Sequence, residues 1–199
     1  MARVLTWLLP VLAAMTLSLM AAPAGAHDKK LHAQAAPLPI DPGGPFALVD
    51  HRGDAVTDRD FRGRHMLIFF GYANCPGICP TGLRGMAGAL DVLGPEGERI
   101  APILVTIDPE RDTVENLAPA VAKIHPRLIG LTGTFDQLNA AAKAYEVSAK
   151  LVGWTLQKQP IVEHGSYIYL MGPDGEFLTI FPPIMDPDEM AAAIRGYLG

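Results

Sequence analysis

Cys75 and Cys79 are the only cysteines in the chain, four residues apart in the run Cys75-Pro76-Gly77-Ile78-Cys79-Pro80. A disulfide-stapled scaffold needs several pairs spread along the sequence, so this pair is read for chemistry. Pro80 suits the first turn of a helix and Thr81 to Met86 continues with apolar spacing, which puts the thiols in a turn and at a helix start. Unpaired amides and the macrodipole there favour thiolate over thiol, raising both nucleophilicity and affinity for a soft metal. Three intervening residues set the sulfurs about one helical turn apart, able to converge on one ion or, with adjustment, to close a disulfide. Dedicated dithiol exchangers more often use two intervening residues. Two thiolates with one further ligand suit Cu(I), which tolerates a low coordination number, whereas structural Zn(II) wants more ligands than this segment offers. A local disulfide that only stiffens a loop is the remaining alternative.

Of the six histidines, His164 stands out in Ile161-Val162-Glu163-His164-Gly165-Ser166-Tyr167, where it is expected in a loop directly before a core strand. A histidine so placed is by spacing alone more often a surface or satisfied core residue than a ligand. His125 before Pro126, His65 opening a strand and His51 in a turn are explained by their local roles, and His27 and His32 as solvated residues of a tail. Asp108 ends an apolar run and precedes Pro109, which places a carboxylate at the cysteines' sheet edge, where it could orient a ligand or close the turn Asp108 to Asp112. Met66, Met86, Met171 and Met185 lie in apolar patterns that packing explains.

The elements that must position these residues are legible as runs. His65 to Phe70 (HMLIFF) is continuously apolar over a strand's length, the mark of a central strand buried on both faces. Strand-like runs recur at 103–107, 128–131, 167–170 and 177–181, separated by helix-like segments at about 81–93, 113–124 and 134–145. Phe46 to Val49 and Ala55-Val56 flank His51-Arg52-Gly53-Asp54 as an N-terminal hairpin, and Gly172-Pro173-Asp174-Gly175 marks a second one. A closing helix runs from its N-cap Asp186 to Tyr197. Alternating strands and helices predict an α/β fold: a sheet with helices on both faces and its site at the carboxyl ends of central strands.

The 199 residues are 49% hydrophobic and 19% charged, the arithmetic of one globular domain behind a leader. Lys plus Arg is 16 against 21 Asp plus Glu, net −5 with no basic run, which argues against a nucleic-acid partner. Residues 1–26 carry a lone Arg3, an apolar stretch from Val4 to Ala22 and Ala24-Gly25-Ala26, the pattern of an export signal cleaved after Ala26. The alternative is an uncleaved anchor, since the stretch approaches the ~20 residues that span a bilayer. Residues 27–45 are polar and rich in Ala and Pro, a flexible tether, leaving 46–199 as the folded domain. Export implies an oxidising, periplasm-like compartment, where neighbouring thiols oxidise unless reduced or metallated.

Phe70-Gly71-Tyr72 followed by the CxxxCP motif, Thr106-Ile-Asp-Pro-Glu-Arg-Asp-Thr113, and Glu163-His164 ahead of Tyr167-Ile-Tyr-Leu together resemble the Sco/SenC family. The resemblance spans nearly the whole exported part. It implies a thioredoxin-like fold, a central mixed sheet flanked by helices with an added N-terminal hairpin. Cys75, Cys79 and His164 match the family's copper ligands, for Cu(I) and, as a second state, Cu(II). The implied role is delivery of copper to the dinuclear site of cytochrome c oxidase, with the copper-bearing subunit as partner. Another periplasmic copper chaperone and a thiol reductant would be further partners. The alternative role is a thiol-disulfide oxidoreductase that keeps the oxidase's copper-site cysteines reduced, with Cys75 and Cys79 as its catalytic pair. Gly77, Glu163 and Gly165 depart from the residues the family most often has at those places.

Overall fold

The computed structural model describes the backbone of residues 41–154 and 160–199 and the side chains of 41–148 and 165–199. The expected leader, most of the expected tether and the His164 side chain lie outside the described residues. Among the described residues, no helix is long and apolar enough to cross a membrane.

A seven-stranded mixed sheet organises the chain. The strands are β1 (Ala47–Asp50), β2 (Ala55–Thr57), β3 (His65–Gly71), β4 (Ile100–Thr106), β5 (Ile129–Thr132), β8 (Ile168–Met171) and β9 (Phe177–Phe181), in the order β2-β1-β5-β4-β3-β8-β9. β3, β4 and β5 run parallel, while β1 and β8 join antiparallel on either side. The N-terminal hairpin is present, Leu48 pairing with Val56. Four helices follow the expected order: α1 (Cys79–Leu93), α2 (Val114–Ile124), α3 (Phe135–Ala144) and α4 (Pro187–Leu198).

The continuous apolar runs are strands buried on both faces, and their residues alternate between two cores. Leu67, Phe69, Leu104, Ile168 and Leu170 pack with residues of α1, α2 and α4. Met66, Ile68, Phe70, Ile103, Val105 and Tyr169 pack on the other side with Leu138 and Ala141 of α3. Met66, Met86 and Met171 are buried in these cores, as their patterns suggested. Caps fix the helix starts: Thr113, Thr134 and Asp186 each accept a bond from a first-turn amide.

One element differs from the expectation. β6 (Ala149–Trp154) and β7 (Pro160–His164) form a separate two-stranded ribbon, with Ala149 opposite His164 and an irregularity between Leu151 and Gly153. His164 therefore closes a strand, rather than lying in a loop. Backbone pairing across the ribbon fixes its register, with the Gly165 amide adding a bond to the Ser148 carbonyl at 3.1 Å.

Candidate metal centre

The site begins where β3 and β4 end side by side, Gly71 opposite Thr106, with the Ile107 amide donating to the Gly71 carbonyl at 2.9 Å. This is the carboxyl edge of the parallel strands, where loops and helix starts converge. The chain leaves β3 through a turn, Tyr72 to Cys75, closed by the Cys75 amide on the Tyr72 carbonyl at 3.3 Å. It then enters α1 at Cys79, with Pro80 in the first turn.

The structure brings the two cysteines together as thiols. Cys75 is partly exposed, and its sulfur accepts from the Gly77 amide at 3.4 Å. Cys79 is fully buried against Phe69 and Gly71; a Cβ on Gly71 would stand 3.2 Å from its sulfur. The Cys79 thiol donates toward Cys75, and that shared hydrogen bond, followed by burial, pushes its pKa up. Amides of Tyr72 and of Cys79 itself oppose the shift without overcoming it. Helix position alone led to the expectation of two ready thiolates. Without a metal, burial and the neighbouring sulfur outweigh the helix start at Cys79, so the pair keeps a proton that an incoming soft cation must displace.

Asp108 lies at the same edge and closes its own turn. Its carboxylate is held by the Arg111 guanidinium, and its carbonyl accepts from the Arg111 and Asp112 amides at 3.3 and 2.9 Å. Arg111 also lies over the Tyr72 ring, 5.6 Å from the centroid. The carboxylate that reaches the cysteine loop is Asp112, unremarked in the sequence beyond membership of the turn. It is buried, and its Oδ2 accepts from the Ala73 amide at 2.9 Å and the Thr106 hydroxyl at 2.7 Å. Burial is the main force raising its pKa, opposed by these two donors. A sequence signal existed only indirectly: once β3 and β4 are parallel neighbours, the turn after one must face the loop after the other.

His164 is placed by backbone alone. β8 runs antiparallel to β3 with Ile168 opposite Phe69, so the segment after β7 enters the sheet at the cysteine edge. Three residues separate His164 from Ile168, and the four Cα–Cα steps span at most ~14 Å of chain. The remaining described histidines have structural roles. His51 Nδ1 accepts from the Gly130 amide, His125 Nδ1 from the Arg127 amide, and His65 is buried at the start of β3. Among the described residues, no group of three or more His, Cys, Asp or Glu is gathered for a metal. Two adjacent thiols are nevertheless a soft donor pair, matched to Cu(I) in chemistry and in low coordination number.

Comparison with known proteins agrees with this architecture. The SCO1/SenC family profile matches residues 34–199. The mitochondrial SCO1 homolog of Homo sapiens is 38% identical over 161 residues, covering 78% of this chain and 52% of that protein. Protein SenC of Rhodobacter capsulatus is 35% identical over 156 residues, covering 78% of this chain and 70% of its own. The chain thus spans little more than half the length of its human relative. The structure of Bradyrhizobium japonicum ScoI with copper bound superposes with a TM-score of 0.72 at 37% identity, covering 78% of this chain and 99% of that one. Yeast Sco1 with copper bound gives 0.73 at 32% identity, covering 80% and 89%. The fold is thioredoxin-like, as the sequence motifs implied, and this chain belongs to the SCO1/SenC family.

Proposed function

We propose that this protein carries copper. Cu(I) is held by Cys75, Cys79 and His164 and passed by ligand exchange to the dinuclear copper site of a cytochrome c oxidase subunit. The observation that carries this reading is the sulfur pair: two thiols in hydrogen-bonding contact at the open edge of the sheet, one buried and one reachable. The β3–β8 register supports the third ligand by leading the His164 backbone toward the same edge. The copper-bound relatives at 37% and 32% identity supply a parallel for the cargo, and the family resemblance supplies the client.

A carrier must deny copper to solvent yet surrender it. Three ligands with one accessible sulfur suit that requirement, because a client thiolate can enter before Cys75 leaves. Loading displaces the thiol protons of the two cysteines, and release returns them. In this reading residues 1–26 direct export to a periplasm-like compartment or remain as an anchor, 27–45 tether, and 46–199 bind copper.

The same two sulfurs support a second reading, thiol-disulfide exchange with the client's cysteines. A partly exposed Cys75 is placed to attack a disulfide and Cys79 to resolve the mixed one. His164→Ala separates the two, and is expected to weaken copper binding strongly while leaving dithiol oxidation nearly intact. The test is copper stoichiometry and X-ray absorption on the reduced protein beside Cys75→Ser, Cys79→Ser and His164→Ala. One copper with two sulfurs and one imidazole nitrogen, altered in every variant, is the expected result. A protein that retains no copper but cycles a disulfide would refute the carrier and leave the exchanger.

A further inference from the structure

The Tyr72–Cys75 turn is the covalent link between β3 and the first cysteine, and three of its amides have a destination. The Tyr72 amide faces the Cys79 sulfur, and the Tyr72 carbonyl takes the Cys75 amide. The Ala73 amide, in the middle of the turn, is held at 2.9 Å by Asp112, thirty-nine residues away in sequence. Asp112 is 1% exposed and is itself fixed by the Thr106 hydroxyl, which also accepts from the Asp108 amide at 3.0 Å. A second contact between the same two segments is independent of that carboxylate: Arg111 lies over the Tyr72 ring.

We propose that Asp112 is a positioning residue for the metal site: its buried carboxylate, braced by Thr106, holds the Ala73 amide and so sets where Cys75 stands relative to Cys79. The proposal rests on the copper-carrying reading. Asp112 acts through the turn, by fixing an amide whose orientation decides how the chain leaves toward Cys75. A neutral hydrogen-bonding side chain could satisfy one amide. A buried carboxylate oxygen shared by an amide and a hydroxyl makes stronger, shorter bonds, and fixes the turn in one geometry. The sulfur pair is then arranged before the metal arrives, which lowers the ordering cost of binding.

The test is Cu(I) affinity by competition with a chromophoric chelator, on the reduced full chain, beside amide exchange at Ala73. Asp112→Ala is expected to bind Cu(I) about tenfold more weakly and to exchange the Ala73 amide at least about tenfold faster, the scale of one lost charge-assisted hydrogen bond. Asp112→Asn keeps an oxygen able to accept from Ala73 and is expected to stay within about threefold of the parent. Leu138→Ala, which opens the core on the opposite face of the sheet, is the control for general destabilisation and is expected to keep the parent affinity. Unchanged affinity in folded Asp112→Ala, or an equal loss in Leu138→Ala, overturns the proposal. Should Asp112→Ala fail to fold, Thr106→Val takes its place, with a loss of about threefold expected and none overturning it. If the parent chain takes up no copper, the carrier reading fails, and an unchanged Ala73 exchange rate in the variant separately overturns the holding role.

Discussion

Replacing Gly71 by alanine puts one methyl group where the structure has no room for it. The new Cβ would lie 2.6 and 3.1 Å from two atoms of the Phe69 ring and 3.2 Å from the Cys79 sulfur. Phe69 is fully buried in the core that the sheet shares with α1, so its ring has no solvent to swing into. Relief must come from the strand or from Cys79, the overpacked case that costs about 2–3 kcal/mol. In a domain of this size each kcal/mol lowers the melting temperature by about 2–4 °C, so a fall of roughly 4–12 °C is expected. Calorimetry on the reduced protein measures it. Gly77→Ala is the matched control: its Cβ meets only the Cys75 sulfur at 3.7 Å, an ordinary contact, and its melting temperature should stay within about 2 °C. A Gly71→Ala protein that melts with the parent would refute the packing argument, and with it the close packing of Phe69 and Gly71 against Cys79.

Two further outcomes follow from the fold. Thr134 caps α3 in a reciprocal arrangement with Gln137, so Thr134→Ala should lower the urea midpoint by the equivalent of ~1 kcal/mol. Burial, with Arg99 adding to it, holds the His65 imidazole below its ordinary 6.5, against the Tyr197 backbone and Glu176. A lowered folded pKa means that the unfolded chain takes up the proton first. His65's contribution is therefore present above pH 6.5 and lost as the pH falls through the folded value. Urea titrations at about pH 7.5 and about pH 5 should show a smaller drop in His65→Gln than in the parent, and equal drops would refute the assignment.

The fold was legible where residues are apolar on both faces. His65 to Phe70 reads as a central strand because the five residues after His65 are all apolar, and it is one; its neighbour, expected at 103–107, begins earlier, at Ile100, and runs through Pro102. The β6–β7 ribbon was not legible. Lys150 and Glu163 break its apolar alternation, and the residues between the strands, Thr155 to Gln159, include no Gly, Asn or Asp to signal a turn. At the site, the cysteine pair announces itself by residue type and spacing. Asp112 does not, because an acid just before a helix cap reads as ordinary capping chemistry. Its contact with Ala73 exists only after two strands distant in sequence have paired. The sign of the Cys79 shift was hidden for the same reason: burial and the second sulfur are tertiary facts, whereas the helix start is a local one.

The ribbon has a consequence for any cargo the site holds. Cys75 and Cys79 hang from the seven-stranded sheet, while His164 closes a strand whose ladder belongs to a separate two-stranded sheet. On the carrier reading, the third donor is therefore a tethered ligand, and what it adds is set by its effective concentration at the sulfurs, as in any bivalent linkage. Affinity can then be adjusted by the posture of one hairpin without altering a single donor atom. On that reading, any contact that moves the hairpin changes the hold on the metal without passing through the seven-stranded sheet.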